Sequence, residues 1–129
     1  MSLGEAQELI VAATAHAAEL AVNIAAVVLD PAGRLVAAAR MDGAPLMAVD
    51  MATGKAYTAA GMGAPTEVWE EATKADAGFG GAITSVPGFT PFGGGKPLTD
   101  AGVLVGAIGI SGGTVEQDVE IAQAALDAH

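Results

Sequence analysis

Cysteine is absent from this 129-residue chain, which excludes disulfides, thiolate metal ligands and a cysteine nucleophile. Positive charge is scarce: Arg34, Arg40, Lys55, Lys74 and Lys96 stand against fifteen acids, for a net charge of −10. Long-range repulsion at that charge opposes polyanionic partners, so neither nucleic acid nor an anionic membrane is expected. No apolar run approaches the roughly 20 residues of a membrane span. The N-terminus also lacks a basic stretch leading into an apolar segment and a cleavage site, so the expected location is cytoplasmic. Aromatic residues make up only 4% of the chain, which leaves little with which to sandwich a large planar cofactor.

What the chain has instead is small apolar side chains. Hydrophobic residues make up 52% and charged residues 16%, with alanine the main apolar contributor. Alanine-rich faces pack closely, and so few charges cover a small domain poorly, so a homo-oligomer is expected. The length suits one domain spanning 1–129 with one core.

Ser2 and Glu5 have the spacing of a capping box, and Leu9, Ala13, Ala17 and Leu20 follow with helical period, predicting a helix over about 3–21. The runs Asn23 to Leu29 and Arg34 to Met41 flank the turn Asp30-Pro31-Ala32-Gly33, which predicts a β-hairpin. A second helix should cover 46–60 and stop at Gly61 and Gly63. A third should start with Thr66 as its N-cap after Pro65, and end near Asp76. Glycine and proline punctuate residues 77–95, leaving room for short strands only at 82–86 and 89–92. Lys96 to Thr99 and Val103 to Ser111 read as a second hairpin, its latter strand apolar on both faces and therefore central. Thr114 and Gln117 repeat the capping-box spacing ahead of a last helix. The order α-β-β-α-α-(β)-β-β-α predicts an α/β (α+β) fold, an antiparallel sheet of about five strands flanked by helices.

Five segments, taken in order, resemble the GlcG/HbpS-like family, which is catalogued as haem-degrading and includes the C-terminal domain of PduO-type proteins. They are Val28-Leu29-Asp30-Pro31-Ala32-Gly33-Arg34-Leu35, Arg40-Met41-Asp42-Gly43-Ala44, Lys55-Ala56-Tyr57-Thr58-Ala59-Ala60, Phe92-Gly93-Gly94-Gly95-Lys96-Pro97-Leu98 and Gly106-Ala107-Ile108-Gly109-Ile110-Ser111-Gly112-Gly113. Gln117-Asp118 and Ile121-Ala122 follow at matching distance, so the resemblance runs nearly end to end. It implies a profilin-like sandwich assembling into tetramers, hexamers or octamers. It also implies binding of haem, iron or a corrinoid-related partner, or a place beside catabolic enzymes, without fixing one chemistry.

Several residues are candidates for a site. His16 lies on the apolar stripe of the first helix, where it could ligate a haem iron or sit as a hydrogen-bonded interface residue. Glu67, Glu70 and Glu71 resemble the acidic helical clusters of iron-binding family members, making His16, Glu67 and Glu70 candidate metal ligands. The helix dipole alone would also place acids there. Lys55 stands in an apolar helix and needs a partner: Asp50 or Asp42 within the chain, or an anionic substrate. The loop Gly93-Gly94-Gly95-Lys96 offers backbone amides and an ammonium to an anion, or is a tight turn. Ser111-Gly112 leads into the last helix, whose first amides could hold a carboxylate. Met41, Met47, Met51 and Met62 could line such a site or fill the core.

Two functions follow as expectations. One is an oligomeric small-ligand-binding protein that takes haem or another carboxylate-bearing molecule between subunits. The other is a small catabolic enzyme or accessory protein acting on an organic acid by acid/base chemistry, with Lys55, Arg40, Asp42 and Tyr57 as its catalytic groups. A purely structural oligomer is the third alternative.

Overall fold

Both capping boxes form in the computed structural model, which describes residues 1–129. Ser2 Oγ accepts from the Glu5 amide at 3.1 Å while Glu5 accepts from the Ser2 amide at 2.7 Å, starting helix α1 (Leu3–Glu19). Thr114 and Gln117 do the same for the last helix, α5 (Val115–Asp127). The hairpin pairs strand β1 (Ala25–Leu29) with β2 (Leu35–Arg40), and helix α2 (Ala48–Met62) follows. Gly63, at φ +68°, takes the left-handed C-cap that glycine adopts without strain.

Thr66 opens helix α3 (Thr66–Ala75) but does not cap it. Pro65 holds the cap position, and the buried Thr66 hydroxyl instead accepts from the Gly95 amide at 2.8 Å. The expected fifth strand does not exist: residues 82–86 and 89–92 form no strand, and the sheet has four. Asp76 accepts from the Phe79 amide at 3.0 Å and starts a further helix, α4 (Ala77–Ile83). Phe79 and Phe89 then pack on Trp69, each with ring centroids 6.2 Å away, which lays this segment on α3 instead of on the sheet.

Strands β3 (Gly95–Asp100) and β4 (Val103–Ser111) complete an antiparallel sheet in the order β2-β1-β4-β3. The fully buried β1 and the largely buried β4 are central, as the two-sided apolarity of the latter predicts. Alternation along each strand then sorts the core. Ala26, Val28, Ile108 and Ile110 face α1 and α5, where Leu9, Ile10, Ala13, Ile121 and Ala125 meet them. Ala25, Val27 and Leu29 face α2 and its alanines Ala48, Ala52 and Ala56. None of the helices is long and apolar enough to cross a membrane.

Candidate functional site

Lys55 points from α2 past the end of the sheet toward α5. Its ammonium donates to Ile110 O and to Asp118 Oδ2, each at 3.0 Å, with both side chains only 3% exposed. Asp118 is thus the partner, where the sequence offered Asp50, Asp42 or an anionic substrate; Asp50 and Asp42 are both exposed. The signal for it was present: Asp118 falls on the apolar stripe of α5 with Ile121, Ala122 and Ala125, where an unpaired acid would be costly. Asp118 Oδ1 accepts from the Gly113 amide at 3.0 Å. Burial pushes its carboxyl above the ordinary range, against the pull of the Lys55 charge and of that amide. The ammonium and the first amides before α5 do receive a carboxylate, and the chain itself supplies it.

The glycine loop is filled in the same way. Gly93 N donates to Glu70 Oε1 at 3.0 Å and Gly95 N to Thr66 Oγ1, while Gly94 O accepts from the Ile110 amide at 2.9 Å. Gly94 has φ +124°, and a Cβ there would lie 2.6 Å from Ile110 O and 3.1 Å from Lys55 Nζ. The loop is therefore a close-packed joint between α2, α3 and α5, with Gly93, Gly94 and Gly95 all buried. Ser111 is buried at the end of β4 beside Gly112.

Two of the three acids of α3 are also engaged, Glu71 being exposed. Glu67 Oε2 accepts from Lys96 at 3.0 Å. Glu70 accepts from Gly93 and, as its spacing predicts, from Lys74 at 3.1 Å. The Gly93 amide, helped by Lys74, holds the Glu70 carboxyl below its usual range. His16 lies elsewhere, with Nε2 2.6 Å from Glu120 Oε2 and Nδ1 3.6 Å from Glu19. The chain gathers no group of three or more His, Asp and Glu side chains fit to hold a metal ion, so His16, Glu67 and Glu70 are not brought together as one site.

The four expected acid/base groups are dispersed as well. Arg40 and Asp42 are exposed and form no ion pair. Tyr57 is two residues from Lys55 on α2 and so projects to a different side of the helix, between Gly33 and Gly88. These four groups therefore do not converge on one site.

One open groove runs along α5, lined by His16, Lys96, Glu116, Val119, Glu120, Gln123, Ala124 and Asp127. It brings the one non-terminal imidazole and one of the five cations onto a single face. Lys96 lies partly buried there and His16 keeps 28% of its side chain exposed.

A four-stranded antiparallel sheet with α1 and α5 on one face and α2 on the other defines a profilin-like α/β sandwich. Within that class the chain belongs to the HbpS-like family, whose model, described as haem degrading protein HbpS-like, matches residues 1–127. It is 36% identical over 128 residues to an uncharacterised 15.0 kDa protein of the dhaT-dhaS intergenic region of Citrobacter freundii, covering 98% of this chain and 90% of that protein. The corrinoid adenosyltransferase PduO of the same organism is also 36% identical, over 99% of this chain, but the chain spans only 38% of its length. The crystal structure of a PduOC–heme complex superposes with a TM-score of 0.92 at 33% identity, covering all of this chain and 94% of that one.

Proposed function

We propose that this protein binds haem, or a carboxylate-bearing molecule of similar chemistry, in the α5 groove, and that a second copy of the chain completes the site. The observation that carries this reading is the presence of both His16 and Lys96 in the lining of one groove. Imidazole nitrogen is a haem-iron ligand and ammonium a partner for a propionate, for which Lys96 would have to part from Glu67, so the donor types fit the group. Glu120, 2.6 Å from Nε2, would have to give up that nitrogen for it to serve as a ligand, and Glu19, 3.6 Å from Nδ1, is the acid placed to hold the ring through its other nitrogen.

A groove open to solvent covers one face of a porphyrin at most. The second face needs another surface, in line with an assembly of tetramer to octamer size, and Leu46, Met47, Val68 and Phe92 remain exposed in a single chain. The solved haem complex of a relative at 33% identity supports the same ligand class. Glu116, Glu120 and Asp127 oppose a dianionic ligand, so its affinity should rise as salt screens them.

Acid/base catalysis on an organic acid fits less well, because Lys55 is sealed against Asp118 and the other three groups do not meet it. A haemin titration tests the proposal. The expected result is a saturable Soret shift at one equivalent per chain or per pair of chains, lost in His16→Ala while fold and assembly persist. Haemin that shifts equally with His16→Ala, or without saturation, overturns it.

A further inference from the structure

A second concavity lies away from the α5 groove, between the β1–β2 turn, the C-terminal half of α2 and the segment after α4. Pro31, Gly33, Tyr57, Met62, Val86 and Phe89 supply most of its wall, and its volume is about 310 Å³. An apolar cavity of about 150 Å³ already holds benzene, so this one has room for one or two fused rings and not for a porphyrin. None of its ten lining residues is charged, in a chain that carries twenty charged side chains.

The aromatic wall is held in place before any ligand arrives. Gly33 and Gly88 both have positive φ and stand over opposite edges of the Tyr57 ring. A Cβ on the first would lie 3.2 Å from Cδ2, and on the second 3.0 Å from Cδ1. Turn and loop thereby clamp the ring, while 44% of the residue stays exposed. Its hydroxyl bonds to no other group of the chain, whereas the neighbouring Thr58 hydroxyl already serves Gly54 and Thr90. The phenol O–H of Tyr57 is thus a side-chain donor left unpaired on the cavity wall.

We infer that this cavity is a binding site for a small neutral aromatic molecule of one or two rings, stacked on Tyr57 and accepting a hydrogen bond from its hydroxyl. An anionic ring is disfavoured, because no cation lines the cavity and the chain repels negative charge.

Tyr57 is the only tyrosine, so fluorotyrosine labelling of the whole chain gives one ¹⁹F resonance from the site itself. Acetophenone should shift that resonance saturably, and benzoate should bind about tenfold more weakly or worse. Calorimetry with unlabelled Tyr57→Phe should show acetophenone weakened by about three- to tenfold, the range of one net hydrogen bond, with toluene unchanged. Gly61→Leu places a side chain on the cavity wall where no atom lies within 4 Å of the new Cβ, so the helix should tolerate it while acetophenone binding is lost. Absence of a saturable shift, equal binding of benzoate, or binding that survives Gly61→Leu overturns the proposal. So does a resonance that moves with protein concentration alone and tracks self-association, since a second copy would then fill the cavity.

Discussion

The two faces of the sheet solve the same packing problem with different residues. Against α1 and α5 the sheet presents Val28, Ile108 and Ile110 to Leu9, Ile10 and Ile121, large branched side chains set among alanines such as Ala13, Ala26 and Ala125. Against α2 it presents Ala25, Val27, Leu29 and Gly109 to a helix face made of alanines alone, Ala48, Ala52 and Ala56. The alanine face draws the helix close enough that a Cβ on Gly109 would clash with the Ala52 carbonyl oxygen. Side-chain volume holds one layer and backbone proximity the other. Only the second leaves a cation at its end, and that cation is sealed by a carboxylate reaching around from the first.

Breaking the link between the layers should have the largest effect. Lys55→Ala strands a buried Asp118 carboxylate and should cost about 3–5 kcal/mol, read as a lower midpoint in urea unfolding. Lys55→Met with Asp118→Leu should recover much of that loss, because neither charge is then left alone. A double variant as unstable as the single would mean that shape at this joint matters more than charge.

Neighbouring residues on β4 sharpen the contrast between the layers. Gly109→Ala adds one methyl to the close-packed face and should cost about 1–3 kcal/mol or more by overpacking. Ile110→Val removes one methylene from the opposite face and should cost only about 0.5–1.5 kcal/mol. Calorimetric unfolding of both variants checks the order, and equal losses would mean that the layers are equally tight.

The smallest effect concerns acid. The Gly93 amide and Lys74 hold the Glu70 carboxyl below its usual 4.5, so its stabilisation is complete above that pH and is lost as pH falls through the lowered value. Asp118 runs the opposite way: burial raises it, so charging it costs the fold, and that cost is relieved as pH falls. Glu70→Gln should therefore lower stability modestly at neutral pH and flatten the acid limb below about 4.5, so that the two proteins converge as pH falls. An unchanged acid limb would place the acid sensitivity elsewhere.

Most of the architecture was legible because its signals are local. The two capping boxes, both hairpin turns and the Glu70–Lys74 spacing depend on residues within about four positions of one another, and each forms as read. Residues 77–95 misled for the same reason: glycine and proline rule out long elements, but nothing local shows that Asp76 will cap a helix or that Trp69 will anchor it.

The site was legible only as a set of residue types. Sequence determined that Lys55 needs a partner, that His16 is the single imidazole short of the C-terminus, and that the glycine loop permits close approach. Tertiary structure decided that the partner is Asp118, 63 residues away, and that the chain spends the loop's amides on itself. It also brought His16 and Lys96 onto one groove and clamped Tyr57 beside an uncharged cavity. Residue chemistry states what must be satisfied, whereas which group satisfies it depends on contacts between distant segments that exist only once the sheet has brought its two faces of helices together.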